Sequence, residues 1–111
     1  MSERPDPSAE TYDTWFEILA HGLRRRLLFE LSRRSHQSAT LSVPEDVLRP
    51  EEDADRIHLH FRHVHLPKLV EEDLVTWDRE TDTVSSGSAF DRIVPLLEAI
   101  EPVGECDAGT R

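Results

Sequence analysis

Apolar residues recur at helical spacing near both ends of the chain. The stretch Tyr12 to Ala20 carries enough aromatic and aliphatic side chains for a short helix, which Gly22 interrupts. The following "LRRRLLFELSRR" has a leucine at every fourth position, which predicts a second helix that stops in "SHQS". Pro95 lies within the last amphipathic stripe, so we expect that helix to start late, near Asp91, or to bend. The stripe comprises Phe90, Ile93, Val94, Leu97 and Ile100.

The middle of the chain alternates short extended and helical patterns. "ATLSV" predicts a short extended segment, and Ser42 with Glu45 matches a capping box for a very short helix ending at Val47 or Leu48. After the turn "RPEED", a long helix is expected over roughly 53–72, bent or split near Leu66 by Pro67. "LVTWD" and "TVSS" then predict two strands joined by the polar turn "RETD".

This order of elements predicts a mainly α protein with a small β-hairpin, arranged as a winged helix-turn-helix. The domain is expected to span residues 11–101. We expect residues 1–10 to be a disordered lead-in without the apolar segment of a secretory signal, and residues 102–111 to be a disordered tail. Cys106 lies alone in that tail, which excludes an internal disulfide and suits a reducing cytoplasm.

On an ideal helical wheel the long helix has apolar residues on two sides. Ile57, Phe61 and Val64 share one side, and the opposite side carries Leu59, Leu66, Leu69 and Val70. An ordinary surface helix has one apolar stripe, so we expect this helix to pack between the core and another element or subunit. Two polar strips remain between these sides: one holds Arg56, His60 and His63, and the other holds His58, Arg62 and His65.

The composition is strongly acidic, with 23 acids against 13 bases and a net charge of −10. Lys68 is the only lysine. Molar salt shortens the Debye length to about 3 Å, which screens the self-repulsion of such a surface. The balance is therefore typical of proteins from salt-accumulating cells, haloarchaea above all, and acidity alone does not exclude DNA binding. No apolar run reaches the ~20 residues of a membrane span, so no membrane partner is expected.

The polar residues of the long helix are candidates for contacts with DNA or a metal. Arg56, His60 and His63 offer donors of suitable length for a DNA groove, and Arg62 and Lys68 are secondary candidates for phosphate. The alternative is a solvated polar strip without a partner. His60 and His63 could share an ion, but no carboxylate lies one turn away, and we predict no metal site. No nucleophile–base pair stands out in the sequence, so we predict no catalysis. The chain has only four glycines, which is few for a cofactor-binding loop, so we predict no cofactor.

Two segments carry a resemblance to a known family. "HLPKLVEEDLVTWD" resembles the end of the recognition helix and the first wing strand of ArsR-type winged helices, and "FEILAHGLRRRLLFELS" is similar to their opening helices. His65-Leu66-Pro67-Lys68-Leu69 with the Arg24–Arg26 triplet resembles small haloarchaeal winged-helix proteins of unassigned function. The resemblance covers about residues 13–86 and implies a transcriptional role and a homodimer formed through the terminal helices. Its interface candidates are Phe90, Ile93, Leu97 and Ile100.

The leading hypothesis is therefore a cytoplasmic, haloarchaeal, DNA-binding transcriptional regulator that binds duplex DNA as a homodimer. The second is a winged-helix module that binds a protein partner, which the acidic turn and the two-sided helix favour. The third is a metal or pH sensor that uses the histidine pairs.

Overall fold

The computed structural model describes residues 8–34 and 40–100. Helix α1 (Ala9–Leu19) begins after Ser8, whose hydroxyl accepts a hydrogen bond from the N–H of Thr11 at 3.1 Å. Residues 9 and 10 are therefore helical, which corrects the predicted lead-in at its end because a capping serine precedes them. The remainder of that predicted lead-in, residues 1–7, and the predicted tail, 102–111, lie outside the described residues.

Helix α2 (Gly22–Arg33) follows α1 after two residues and ends at Arg33, slightly before the predicted stop in "SHQS". Arg25 links the two helices by donating from Nη1 to the carbonyl of Leu19 at 2.7 Å. That carbonyl belongs to the last turn of α1, where no intrahelical donor is available. The side chain of Arg25 thus closes the end of α1 and holds the junction between the helices.

Strand β1 (Thr40–Ser42) leads into a 3-10 turn at Glu45–Val47. The predicted capping box is wrong, because Ser42 belongs to the strand and the turn follows Pro44 without a side-chain cap. The Asp46 carboxylate instead accepts a hydrogen bond from the N–H of Ser42 at 2.7 Å. This bond ties the turn to the strand, and the predicted very short helix is present as the 3-10 turn.

The long helix, residues 54–71, consists of three consecutive parts. Helix α3 (Ala54–His60) starts at Asp53, whose carboxylate accepts from the N–H groups of Asp55 and Arg56. A π-helical segment (Phe61–His65) follows, and α4 (Leu66–Glu71) completes the helix. Pro67 cannot donate to the preceding turn and its ring crowds the carbonyl there. The wide π turn next to it is a known accommodation of such a break, so the predicted irregularity near Leu66 is present.

The hairpin consists of β2 (Val75–Asp78) and β3 (Thr83–Ser86), as the strand pattern predicted. Strand β1 also pairs with β3, and the antiparallel sheet has the order β1-β3-β2. Its inner face is formed by Leu41, Val75 and Val84. The sequence predicted an extended segment at β1 but not its pairing, so the sheet has three strands among the described residues and not two.

Helix α5 (Phe90–Ile100) starts close to the predicted position and keeps Pro95 in its interior. Its inner residues pack into one core with α1, α2, the long helix and the sheet. The fold is therefore mainly helical with a small antiparallel sheet, in agreement with the prediction at that level. None of the described helices is long and apolar enough to cross a bilayer. The fully buried large side chains are Ile18, Leu27, Leu28, Leu31, Leu41, Phe61, Leu66, Leu69, Leu74, Phe90, Ile93 and Leu97.

The π segment redistributes the apolar residues of the long helix between its two sides. Residues five apart now share a side, so Phe61 and Leu66 both point into the core with no exposed surface. Leu59 and Val64 share the outer side, with 56% and 46% of their surfaces exposed. Apolar residues do lie on two sides of the helix, but the predicted groupings were wrong, because the ideal wheel assumes 100° per residue through the π turn. Val64 and Leu59 in particular were assigned to opposite sides.

Candidate nucleic-acid interface

The outer face of the long helix consists of five exposed residues, and we call it the outer helix face. Leu59, His60, His63 and Val64 line a shallow pocket of about 340 Å³. Arg56 lies one turn before His60 on the same helix. The face therefore combines one guanidinium, two imidazoles and two aliphatic side chains. Its members are Arg56, Leu59, His60, His63 and Val64.

Three of the predicted DNA contacts lie on this face with their polar groups free. The side chains of Arg56, His60 and His63 are exposed and make no hydrogen bond or ion pair with any residue that the structure describes. The Arg56 guanidinium has five donors, and each imidazole has at least one. The predicted strip Arg56–His60–His63 is thus brought together and is available to a partner.

The second polar strip is used inside the molecule. His58 Nε2 lies 2.7 Å from Asp82 Oδ2, and Arg62 donates from Nη1 to Asp82 Oδ1, also at 2.7 Å. Asp82 is the last residue of the β2–β3 turn and has a φ of 54°. Both partners come from the long helix, one turn apart. We call this contact the helix–hairpin clamp, and it fixes the hairpin against the helix.

Trp77 completes the clamp from strand β2. Its indole Nε1 donates to Asp82 Oδ1 at 3.3 Å. The Arg79 guanidinium lies 4.4 Å from the centre of the Trp77 ring, and that of Arg62 lies 5.4 Å from it. Such distances are typical of cation–π contacts. Arg79 is thereby directed onto the hairpin's own tryptophan.

Burial alone acts to raise the pKa of Asp82, but its neighbours outweigh that effect. Hydrogen bonds from His58 and Trp77, with the charges of Arg62 and His58, hold the pKa of Asp82 below its ordinary value. The carboxylate therefore stays ionised and neutralises Arg62. Arg62 was predicted to contact phosphate, and its ion pair with Asp82 argues against that role. Lys68, the other secondary candidate, lies 3.7 Å from Glu72 and is partly neutralised as well.

His65 belongs to the same predicted strip as His58 and Arg62 but is buried, with 5% of its surface exposed. Its Nδ1 accepts a hydrogen bond of 2.9 Å from Nε of Arg24, which is itself buried. Because a guanidinium only donates, the neutral imidazole must carry its proton on Nε2. Burial lowers the pKa of His65 to about 4, and the charges of Arg24, His21 and His60 add to this effect.

The three arginines of the triplet on α2 bind three different partners. Arg24 meets His65, and burial lowers its pKa although Glu17 acts in the opposite direction. Arg25 bonds the end of α1, and Arg26 forms a two-pronged ion pair with Glu52 at 2.8 and 3.0 Å. Arg26 also donates to the carbonyl of Val47 at 2.8 Å. These partners lie far from the triplet in the chain, so the sequence pattern did not identify them.

Three of the four predicted interface residues are inside the protomer. Phe90, Ile93 and Leu97 are 2%, 0% and 1% exposed, so they cannot contact a second copy in this fold. These three residues, which were assigned to a dimer interface, instead pack into the protein's own hydrophobic core. Only Ile100, at 39% exposure, remains at the surface. Helix α1 exposes Tyr12 and Phe16, whose ring centres lie 6.2 Å apart in a stacked arrangement.

Within residues 8–34 and 40–100, no group of three or more His, Cys, Asp and Glu side chains is placed to hold a metal ion. Comparison of the chain with protein-family models, with curated proteins and with solved structures gave no match in any of the three.

Proposed function

We propose that this chain is a winged helix-turn-helix protein that binds duplex DNA through the outer helix face, as a homodimeric regulator in the cytoplasm of a halophilic archaeon. The order of elements supports the winged-helix assignment: a helix, a short strand, a short turn, a long helix and a hairpin follow one another. The helix–hairpin clamp also supports it, since it fixes the hairpin beside the long helix.

The observation that carries the proposal is the free row of donors on the long helix. Arg56, His60 and His63 are exposed, while the other candidate cations of this helix are paired with Asp82 or Glu72. A helix that enters the major groove needs donors for base edges and phosphates on its outer side. The clamp at Asp82 holds the helix by its other side and leaves that row outward.

The hairpin has a supporting part in this proposal. Its turn contains Glu80 and Asp82, and its arginine lies on Trp77, so it offers little grip on phosphate. We assign it the role of bracing the helix. The protein's net charge of −10 opposes DNA in dilute buffer, but molar salt removes most of that repulsion.

Homodimerisation remains part of the proposal with a revised surface. Tyr12, Phe16 and Ile100 are exposed large apolar residues on α1 and α5. Tyr12 also lines a pocket of about 390 Å³ together with Trp15 of α1 and Leu96 of α5. A second copy placed on this surface would bury these side chains and present two long helices to adjacent half-sites.

The direct test is enrichment of genomic fragments of a haloarchaeon by the wild-type protein in molar potassium chloride, compared with Arg56→Ala/His63→Ala. Enrichment by the wild type and its loss in the double variant is the expected result. Arg33→Ala, which removes a positive charge from α2 where the residue pairs with Glu30, is the control and should enrich the same fragments. No enrichment, or enrichment unaffected by the double variant, would remove the proposal.

A protein-interaction module is the second candidate. Leu59 and Val64 are exposed on the outer helix face, and few free cations accompany them. A partner protein would bury those side chains without needing phosphate contacts. If the wild type enriches no DNA, the protein-interaction module becomes the favoured function. Its test is whether Leu59→Asp abolishes a stable complex with a partner protein recovered in molar salt.

A further inference from the structure

Hydrogen bonding to DNA accounts for the polar residues of the outer helix face but not for its two aliphatic side chains. Leu59 is 56% exposed and Val64 46%, and both border the pocket that His60 and His63 also line. The π segment brings them to one side, since they are five residues apart. Large aliphatic side chains beside groove-contacting donors have a specific counterpart in duplex DNA: the C5-methyl group of thymine, which projects into the major groove.

From this juxtaposition we infer that Leu59 and Val64 recognise thymine methyl groups, so that the outer helix face selects A·T pairs by apolar contact. The inference rests on the proposed function and names the base class that the site would favour. Five residues of helix rise about 7 Å. That is about the length of two base steps at 3.4 Å each. The two side chains can therefore meet methyl groups of separate base pairs.

Charge favours DNA over a protein as the occupant of this pocket. Arg56 lies one turn before the pocket without a counterion among the described residues, and the pocket contains no carboxylate. A DNA phosphate beside this pocket would therefore meet one unpaired guanidinium.

The experiment uses a fragment that the wild-type protein enriches, shortened to the smallest bound duplex. Replacing its thymines by deoxyuridine removes each methyl group and leaves the hydrogen-bonding edges unchanged. Each lost methyl contact should weaken wild-type binding about four-fold, the factor expected for one buried methyl group. For Leu59→Ala/Val64→Ala, binding to the thymine duplex should already be weaker, and deoxyuridine should change it less than two-fold.

Val70→Ala is the matched control, because Val70 is an exposed aliphatic residue of the same helix outside the pocket. It should keep the wild-type preference for thymine. Equal binding of both duplexes by the wild type, or a preference retained by the double variant, would overturn the inference while leaving DNA binding in place. Failure of the wild type to bind any fragment would instead overturn the proposed function and this inference with it.

Discussion

Arg24 on α2 donates from Nε to Nδ1 of His65 on the long helix at 2.9 Å, and both side chains are buried. The pair joins the two helices across 41 residues of sequence. It also places a titratable group where a proton is disfavoured, since a protonated imidazole could not accept from the guanidinium. The ring of Phe61 packs edge-on against His65 at 5.8 Å and keeps water away from that side.

Stability should therefore fall with acid through His65. Burial and the neighbouring cations lower its pKa from 6.5 to about 4 in the folded protein, whereas the unfolded chain keeps the ordinary value. The unfolded state thus takes up the proton first. The contribution is intact above pH 6.5 and is lost as pH falls from 6.5 to 4, on the order of 3 kcal/mol. Chemical denaturation at fixed salt across this range measures it.

The comparison that isolates His65 uses two glutamine variants. His65→Gln should show a flatter decline between pH 6.5 and 4 than the wild type, because the group that titrates is gone. His63→Gln removes an exposed imidazole and should follow the wild-type curve. Parallel declines in the wild type and His65→Gln would contradict the assignment.

The helix–hairpin clamp should depend on the charge of Asp82. Asp82→Asn keeps a residue that tolerates positive φ but replaces one acceptor oxygen by a donor that faces His58 or Arg62. Because the three side chains are partly exposed, we expect a loss of about 1–2 kcal/mol in the free energy of unfolding. Glu80→Gln alters the net charge equally at an exposed position in the same turn and should change little. Equal stability of the two variants would show that the clamp contributes nothing.

Local patterns were sufficient to predict the helices, the hairpin and the free row Arg56–His60–His63, since spacing along one element determines which residues share a side. The π turn was beyond such patterns. Pro67 indicated a break, but a wheel at 100° per residue could not show that Leu59 and Val64 would meet.

Contacts between segments that lie far apart in the sequence could not be predicted either. Neither the Arg24–His65 bond nor the pairing of β1 with β3 leaves a signal in the spacing of the chain. The clamp had a weak one: His58 and Arg62 lie one helical turn apart, and the turn between the two hairpin strands is acidic. The apolar stripe on α5 was identified but was assigned to a dimer interface. An amphipathic pattern shows that one side of a helix is buried, but it does not show whether the protein's own core or a second copy buries it.

Gly87 should be intolerant of any side chain. It follows β3, and a Cβ there would lie 2.4 Å from the carbonyl oxygen of Asp73 and 2.9 Å from the nitrogen of Val75. Backbone must move to relieve both contacts, so Gly87→Ala should cost about 2 kcal/mol or more. Gly22→Ala is the counterpart: its Cβ would meet only the far end of Arg25 at 3.7 Å, and stability should hold or rise slightly. The melting temperatures of both variants test this prediction. A Gly87→Ala variant with the melting temperature of the wild type would contradict it.

The revised dimer surface makes opposite predictions for two apolar positions on the terminal helices. Phe16→Asp introduces a charge at a residue that is 54% exposed, so the protomer should fold and scatter light as a monomer in molar potassium chloride. Leu97→Asp places a charge at a residue with 1% exposure and should unfold the protomer, since a buried unpaired carboxylate is strongly unfavourable. Val70→Asp, at an exposed position on the long helix, should leave both fold and mass unchanged. A wild type that scatters as a monomer, or a Phe16→Asp variant that keeps the mass of a dimer, would show that α1 and α5 do not form the interface.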